Sequence, residues 1–230
     1  MGTRRDSIEA LLKQCDEDIV SIEQEYNSSL DRQKIATDLQ VKIKSFCEHL
    51  RSALDYVAHD IREKYCKDAD PGMRFYFPIL LSRSEFESQT NKWYPKLDGR
   101  VPDLWAYLES VQPYHQDYVW LGVFNRINNE NKHGNLVAQT RGQTEQVRVS
   151  MGSGSVTWTP QNVKFGSGVF IGGVPVNPAT QMPVPHSSQK VERIIWVDFR
   201  FEGEDVSALD LLKQALTGIR RIAKGIGQWL

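Results

Sequence analysis

From Thr3 to Asp70 the chain contains neither glycine nor proline, and this feature constrains the fold more than any other. Glycine and proline most often interrupt regular structure, so their absence favours long helices. Apolar residues recur in this stretch at intervals of three and four, first from Ile8 to Tyr26 and then from Leu39 to Tyr65. This period describes one face of a helix. Because serine and asparagine favour caps and turns, Asn27-Ser28-Ser29 is the predicted break, and residues 3–70 are predicted to form an antiparallel helical hairpin.

The next part of the chain is less regular. Residues 71–112 follow no single period, and we predict an irregular connection with short helices. Pro113 then precedes apolar residues at helical spacing. Because the first turn of a helix does not use the N–H that proline lacks, we predict that a third helix begins there. Gly134 is typical of the left-handed residue that ends a helix, so the predicted span is 113–134.

The composition changes after the third predicted helix. Residues 134–190 hold eight of the 16 glycines and five of the ten prolines. Apolar and polar residues alternate from Val147 to Trp158 on either side of a Gly-Ser-Gly turn, which predicts a hairpin. The region from Pro175 to Ser188 is predicted to be an exposed loop. We therefore predict a small antiparallel β insertion at 143–202 and a last helix at 205–229, where apolar residues return to helical spacing.

Composition also limits the class of protein. With 230 residues, 40% of them hydrophobic and 25% charged, the chain suits one globular domain over 1–230. The net charge of −1 gives no bulk attraction to nucleic acid or to membranes. No apolar run approaches the roughly 18 residues of a membrane helix, and the three cysteines contain no CxxC pair. We expect a cytoplasmic protein with reduced thiols and no membrane contact.

A polar segment at the end of the third predicted helix is the main candidate site. Asn125 to Leu136 reads N-R-I-N-N-E-N-K-H-G-N-L and contains Arg126 and His133, seven residues apart. On a helix this step places both residues on one face, about 20° out of register. Imidazole exchanges protons near neutral pH and guanidinium binds two phosphate oxygens, so the pair suits phosphate chemistry. The other interpretation is a hydrated helix end, where Lys132 and His133 cap carbonyl groups before Gly134.

A second polar group lies on the second predicted helix, where Arg51, Asp55 and His59 follow at intervals of four. Arg51 and Asp55 can form an ion pair, and Asp55 can also orient His59. The simplest interpretation is a solvated pair, and the alternative is that this face meets the polar end of the third helix. A metal site made of Asp55, His59 and His133 lacks the spacing of zinc motifs, and the glycine clusters lack a P-loop ending. We predict neither a metal nor a cofactor.

Four short motifs resemble, in the same order, those of a group of uncharacterised bacterial proteins. They are L-R-S-A-L-D at 50–55, F-P-I at 77–79, Q-P-Y at 112–114 and N-N-E-N-K-H at 128–133. The wider resemblance is to the HEPN superfamily (higher eukaryotes and prokaryotes nucleotide-binding domain). That resemblance implies a mainly α fold, a four-helix HEPN-like bundle that often forms a homodimer. The small antiparallel β insertion would interrupt this bundle before its last helix.

The same resemblance implies a function. Active members of the superfamily are metal-independent RNases of toxin and phage-defence systems, and they carry an arginine, four to six residues and then a histidine near a helix end. Arg126 and His133 fit that spacing and would be the catalytic residues. RNA or a nucleotide, and an antitoxin-like protein, would be the partners. The auxiliary or binding residues would be Asn129, Lys132, Arg51 and Asp55.

At two positions the chain departs from these patterns. Ile127 follows the arginine, where active members usually have a polar residue, and Gly134 stands where the uncharacterised group usually has arginine. Together with the near-zero net charge, these departures leave a second hypothesis open. Under that hypothesis the chain is a non-catalytic module that binds a nucleotide, RNA or a protein and forms dimers.

Overall fold

The structure is a computed structural model that describes residues 3–32, 37–133, 139–152, 154–159, 163–201 and 206–230. Within these ranges, the side chains at 30–32, 131–133, 139–146 and 192–200 are outside the description. The chain divides into two compact units, one formed by Met1–Thr140 with Arg200–Leu230 and the other by Arg141–Phe199. The described residues are mainly helical and include small antiparallel sheets, which confirms the predicted mainly α class.

Helices make up the regular structure of the first unit, apart from the outer ends of two strands. A short 3-10 helix at Gln116–Tyr118 precedes the sixth α-helix. The α-helices are α1 (Arg4–Arg32), α2 (Thr37–Tyr65), α3 (Arg83–Trp93), α4 (Leu97–Arg100), α5 (Pro102–Ser110), α6 (Val119–His133) and α7 (Ala208–Ile226). Contacts join α2 to α1, α6 and α7, and α7 also contacts α1 and α6. α2 therefore contacts each of the other three helices named here, and the shorter helices add buried residues such as Phe86 on α3 and Leu108 on α5.

The predicted hairpin is present as α1 and α2. The two helices are antiparallel, because Arg4 near the start of α1 pairs with Asp60 near the end of α2, while Lys42 pairs with Glu25. Apolar side chains at the predicted spacing are buried on α2. Those on α2 that are at most 2% exposed include Leu39, Ile43, Phe46, Leu50, Leu54, Val57 and Ile61.

The predicted helix break at Asn27-Ser28-Ser29 is wrong, since α1 continues through it to Arg32. Tyr26 is 5% exposed and Ser29 is 6% exposed, so this turn packs one side against the protein interior. The preference of serine and asparagine for caps is a weak local effect, and tertiary packing overrides it here.

The third predicted helix also begins at a different residue. α6 starts at Val119 rather than at Pro113, after a turn in which the His115 N–H donates to the Gln112 carbonyl group at 3.0 Å. Pro113 instead packs on the side of α6, where a Cβ atom at Gly122 would lie 3.1 Å from the Cβ of Pro113. Pro113 therefore packs against the side of α6 and does not start that helix.

The last predicted helix is α7, which spans Ala208–Ile226 within the predicted 205–229. Ser207 caps it by accepting a hydrogen bond from the Asp210 N–H at 3.4 Å. Gly218 in the middle of α7 leaves room for the Trp120 ring on α6. A Cβ atom at this position would lie 2.2 Å from Cζ2 of Trp120, which is a steric clash. No helix among the described residues is long and apolar enough to cross a membrane.

The second unit is built from short antiparallel strands around a separate core. Two three-stranded sheets have the orders β2-β1-β6 and β3-β4-β5. The strands are β1 (Gln139–Met151), β2 (Gly154–Trp158), β3 (Phe170–Ile171), β4 (Val174–Asn177), β5 (Met182–Pro183) and β6 (Lys190–Phe201). The predicted hairpin is confirmed, with Val147 opposite Trp158 and Val149 opposite Val156. The prediction of a loop over Pro175–Ser188 is wrong in part, because β4 and β5 lie there and Val176 is 4% exposed.

The three cysteines, Cys15, Cys47 and Cys66, are free and buried. Burial raises the pKa of Cys15 and of Cys47 to about 12, because a thiolate loses its hydration inside the protein. Thiols of this kind are poor nucleophiles, so the cysteines serve packing.

Candidate functional site

The predicted polar segment lies on α6, and one face of it is exposed. Arg126, Asn129 and Glu130 are exposed, while Ile127 is 1% exposed. Arg126 Nη1 donates to Glu130 Oε1 at 2.9 Å, in an ion pair whose side chains are 41% and 45% exposed. An exposed pair of this kind contributes about 0–1 kcal/mol, so a phosphate group can compete with the carboxylate for the guanidinium.

His133 and Lys132 are located through the helix backbone alone. Both belong to α6, which ends at His133, but the side chains at 131–133 lie outside the described residues. Helical geometry separates the Cα atoms of Arg126 and His133 by about 10 Å along the axis and by about 20° around it. The two backbone positions therefore share one side of α6. The Gly134 that follows also lies outside the described residues.

The side of the same segment that faces the protein carries Ile127 and Asn128. Next to it, the half-buried Asn125 accepts a hydrogen bond from Arg51 Nη1 at its Oδ1 at 3.2 Å, which joins α6 to α2. Asn128 is fully buried, and neither its Oδ1 nor its Nδ2 has a hydrogen-bond partner among the described residues. Leaving a buried amide unsatisfied costs about 1–3 kcal/mol. In the sequence these asparagines form one polar cluster with Asn129, and no local signal distinguishes them.

Arg51 is part of the protein interior. The predicted ion pair with Asp55 is confirmed, with Nη2 and Oδ1 at 3.1 Å, but its solvated setting is wrong because Arg51 is 7% exposed. Its Nη2 also donates to the Phe77 carbonyl group at 3.1 Å. The guanidinium thus connects α2, the segment before α3, and Asn125 on α6. This arrangement matches the alternative prediction, in which the arginine face of α2 meets the third helix.

Asp55 completes the same network from the other side. Its Oδ1 accepts from the Phe77 N–H at 3.0 Å, so Arg51 and Asp55 together satisfy both backbone groups of Phe77. His59, which Asp55 was predicted to orient, packs instead on the ring of Phe75, with 4.5 Å between ring centroids. The Asp55 carboxylate therefore fixes the irregular segment before α3 to α2.

Gln112 holds the end of that irregular segment. It is fully buried, its Nε2 donates to the carbonyl groups of Pro78 at 3.0 Å and Leu108 at 2.7 Å, and its Oε1 accepts from the Leu80 N–H at 3.0 Å. A single amide here satisfies two backbone groups of the irregular segment, on Pro78 and Leu80, and a carbonyl group in the last turn of α5, on Leu108. The only signal in the sequence was its place in the Q-P-Y motif.

We define the motif clamp as the side chains of Arg51, Asp55, Gln112 and Asn125. They hold the backbone from Phe77 to Leu80 between α2, α5 and α6. The motifs at 50–55, 77–79 and 112–114 meet in this network, although they are far apart in the sequence. The contacts give these motifs a structural role that does not require a ligand.

Two tyrosines cover the motif clamp. The Tyr94 hydroxyl group donates to the Tyr76 carbonyl group at 2.8 Å, and the Tyr76 ring centroid lies 6.0 Å from Cζ of Arg51. Burial raises the pKa of Tyr94 far above its usual range, and the negative charge of Asp55 adds to this effect. Tyr94 therefore remains a neutral hydrogen-bond donor at physiological pH.

No group of three histidine, cysteine, aspartate or glutamate residues within the described part of the chain is arranged to hold a metal ion. Among the described side chains of the α6 segment, those that face solvent supply a guanidinium, an amide and a carboxylate, on Arg126, Asn129 and Glu130. These groups can bind a phosphate and can exchange hydrogen bonds with a polar ligand.

Comparison with known proteins gives no match: no family model, no curated protein and no solved structure is similar to this chain at a significant level.

Proposed function

We propose that this chain is a HEPN-like four-helix bundle protein that acts as a metal-independent endoribonuclease of a defence or toxin–antitoxin system. The observation that carries the proposal is the outer face of α6, where Arg126 and Asn129 are exposed and His133 follows on the same side of the helix backbone. The motif clamp supports it, because a helix fixed by buried hydrogen bonds presents its outer side chains with little freedom.

The proposed reaction is cleavage of an RNA phosphodiester by its own 2′-hydroxyl group. The 2′-oxygen attacks phosphorus, the bond to the 5′-oxygen breaks, and a cyclic phosphate remains on the first fragment. His133 takes the proton of the attacking hydroxyl group or returns one to the leaving oxygen, as imidazole does near neutral pH. Arg126 stabilises the charge on the phosphate oxygens, and Asn129 and Lys132 bind the flanking backbone.

In this proposal the functional unit is a cytoplasmic homodimer whose two α6 ends form one cleft. Two turns of helix separate Arg126 from His133 within one chain, so a second copy would bring an arginine and a histidine from different chains to one phosphate. An antitoxin-like protein that covers this cleft would inhibit the enzyme.

RNA cleavage in the presence of EDTA tests the proposal. The wild type should cut a long single-stranded RNA, and both His133→Ala and Arg126→Gln should lower the rate at least a hundredfold, the lower limit for loss of an acid–base or charge-stabilising group. His186→Ala, at an exposed histidine of the second unit, is the matched control and should cut at the wild-type rate. Equal rates for wild type and His133→Ala, or no cleavage by any of the proteins, would contradict the proposal.

A second candidate function is a non-catalytic dimerisation module that binds a nucleotide, RNA or a protein. The observations that favour it are the ion pair that already occupies Arg126 and the structural use of Arg51, Asp55 and Gln112. This function predicts a stable dimer that binds RNA or nucleotide without turnover. Light scattering coupled to size exclusion, followed by titration with RNA, tests it, and a monomer that has no ligand affinity argues against it.

A further inference from the structure

A cleft of about 930 Å³ opens between α1 and α7, and none of the described residues that line it belongs to α6. Its volume lies within the range of about 300–1,000 Å³ that is typical of small-molecule sites. Along α1 it extends from Thr3 to Asp16, which corresponds to roughly 20 Å at the helical rise per residue. Clefts between the helices of bundles are common positions for ligands.

The accessible lining of the cleft is mostly apolar. On its floor, Ile8 and Leu12 on α1 are each 8% exposed, and Val57 on α2 is 1% exposed, so the floor offers a small apolar area. A partner helix, about 10 Å across with its side chains, needs a broader apolar face than this. A linear alkyl chain needs less, and its methylene groups can pack against this floor.

The rim carries an excess of positive charge. Six cationic and four acidic side chains line the cleft, a local charge of +2 in a chain whose net charge is −1. Each of the acidic side chains already pairs with an arginine. Lys13 on α1 and Lys224 on α7 are exposed and have no ion-pair partner among the described residues. These two lysines are therefore available to an anion.

The chemistry of the walls selects the kind of ligand. The described residues that line the cleft include no aromatic side chain on which a nucleobase could stack. The walls are helices, whose backbone groups are internally bonded, so they offer no strand edge to an extended peptide. We propose that the cleft binds a single-chain anionic amphiphile, with its alkyl chain over Ile8, Leu12 and Val57 and its carboxylate at Lys13 and Lys224.

Calorimetric titration of the full chain with decanoate, below the concentration at which it forms micelles, tests this proposal. One molecule should bind per cleft with saturation, and the affinity should fall as salt screens the lysines. Decanol has the same alkyl chain without the charge, so it measures the apolar contribution alone. Guanosine monophosphate is the competing probe, because it supplies an anion and an aromatic base in place of the alkyl chain.

Substitutions measure the contributions of the carboxylate and of the alkyl chain to binding separately. The double variant Lys13→Gln with Lys224→Gln should weaken decanoate binding by up to about tenfold, the effect of losing two exposed charge contacts, and should leave decanol binding unchanged. Ala223→Leu places a larger side chain in the cleft and should weaken the binding of both ligands. Lys92→Gln, at an exposed lysine on α3, is the matched control and should change neither.

Three results would overturn the proposal. They are the absence of saturable decanoate binding, equal affinity for decanoate in the double lysine variant and in Lys92→Gln, and lysine-dependent binding of guanosine monophosphate where decanoate does not bind. The lysines are exposed, so their substitution does not threaten the fold, and the double variant decides the question even if Ala223→Leu fails to fold.

Discussion

The two faces of α6 carry the same types of side chain and use them for different purposes. Asn125 is half-buried and joins the motif clamp, and Asn128 is buried without a hydrogen-bond partner among the described residues, whereas Asn129 is exposed one residue later. Arg51 and Arg126 differ in the same way, since both pair with an acid four residues later but only Arg126 is exposed. A cluster of polar residues in a sequence can thus contain a structural half and a surface half.

Buried and exposed polar residues differ more in their contribution to the free energy of unfolding than in residue type. Breaking a buried ion pair leaves a charge without a partner and typically costs about 3–5 kcal/mol, whereas an exposed pair contributes about 0–1 kcal/mol. The motif clamp should therefore contribute more to stability than the exposed face of α6. Each experiment compares a residue of the motif clamp or of α6 with a matched residue.

The largest expected effect belongs to Arg51. Arg51→Met should lower the free energy of unfolding by about 3–5 kcal/mol, because Asp55 stays charged and partly buried while the Phe77 carbonyl group loses its donor. Urea denaturation followed by circular dichroism measures the change. Arg83→Met breaks an exposed pair of the same spacing with Glu87 and should cost less than about 1 kcal/mol. Similar losses in the two variants would show that the motif clamp stabilises no more than a surface pair.

Gln112 should have the next largest effect. Gln112→Met keeps the length of the side chain but leaves the Leu80 N–H and the Pro78 carbonyl group without their partner, and we expect a loss of about 2–4 kcal/mol. The control is Gln14→Met, because Gln14 is exposed and its Nε2 donates to Asp18 Oδ1 in a hydrogen bond at the surface. The same urea denaturation measures the change. An unchanged midpoint for Gln112→Met would show that the hydrogen bonds of Gln112 do not stabilise the fold.

Asn128 should respond in the opposite direction. Asn128→Leu replaces a buried amide that has no hydrogen-bond partner in the described part of the chain with an apolar group of similar shape, so the protein should become more stable by about 1–2 kcal/mol. Asn129→Leu, on the exposed face, should change the stability by less than about 0.5 kcal/mol.

A loss of stability in Asn128→Leu would be the informative contradiction. It would mean that the Asn128 amide bonds to a group outside the described residues, such as a second copy of the chain or a bound ligand. The inner face would then take part in the function, and the division between the two faces of α6 would have to be abandoned.

The parts of the fold that the sequence predicted correctly depend on periodicity. Apolar spacing located α1 and α2, and alternation located the hairpin from Val147 to Trp158, because burial of one face imposes those periods. The errors arose where a local preference was trusted against packing. α1 passes through Asn27-Ser28-Ser29 because that turn is packed, and Pro113 lies against Gly122 instead of opening a helix.

In the candidate site, too, the sequence predicts local helical contacts but not contacts between distant segments. The i,i+4 relation of Arg51 and Asp55 could be predicted, because it follows from helical geometry alone. The role of Gln112 could not, since its partners are backbone groups of Pro78, Leu80 and Leu108, and backbone groups have no signature in a sequence. β4 was missed because a strand of only four residues among prolines is too short to show alternation.

The smallest expected effect on stability is also the one that bears most directly on function. Glu130→Gln removes the negative charge that pairs with Arg126, and the unfolding free energy should change by less than about 0.5 kcal/mol. If the outer face binds phosphate, this loss of a competing anion should strengthen RNA binding about two- to fivefold, the equivalent of one exposed ion pair. Filter binding at low salt measures the affinity.

Glu87→Gln is the control for that experiment, because Glu87 forms an exposed i,i+4 pair with Arg83 on α3 and removes the same charge from the protein. Equal gains in the two variants would mean that RNA responds only to net charge and that Arg126 holds no particular phosphate. A gain confined to Glu130→Gln, together with its loss when Arg126→Gln is added, would tie the affinity to the Arg126 guanidinium. Because neither substitution touches the motif clamp, such a result would separate what α6 binds from what holds it in place.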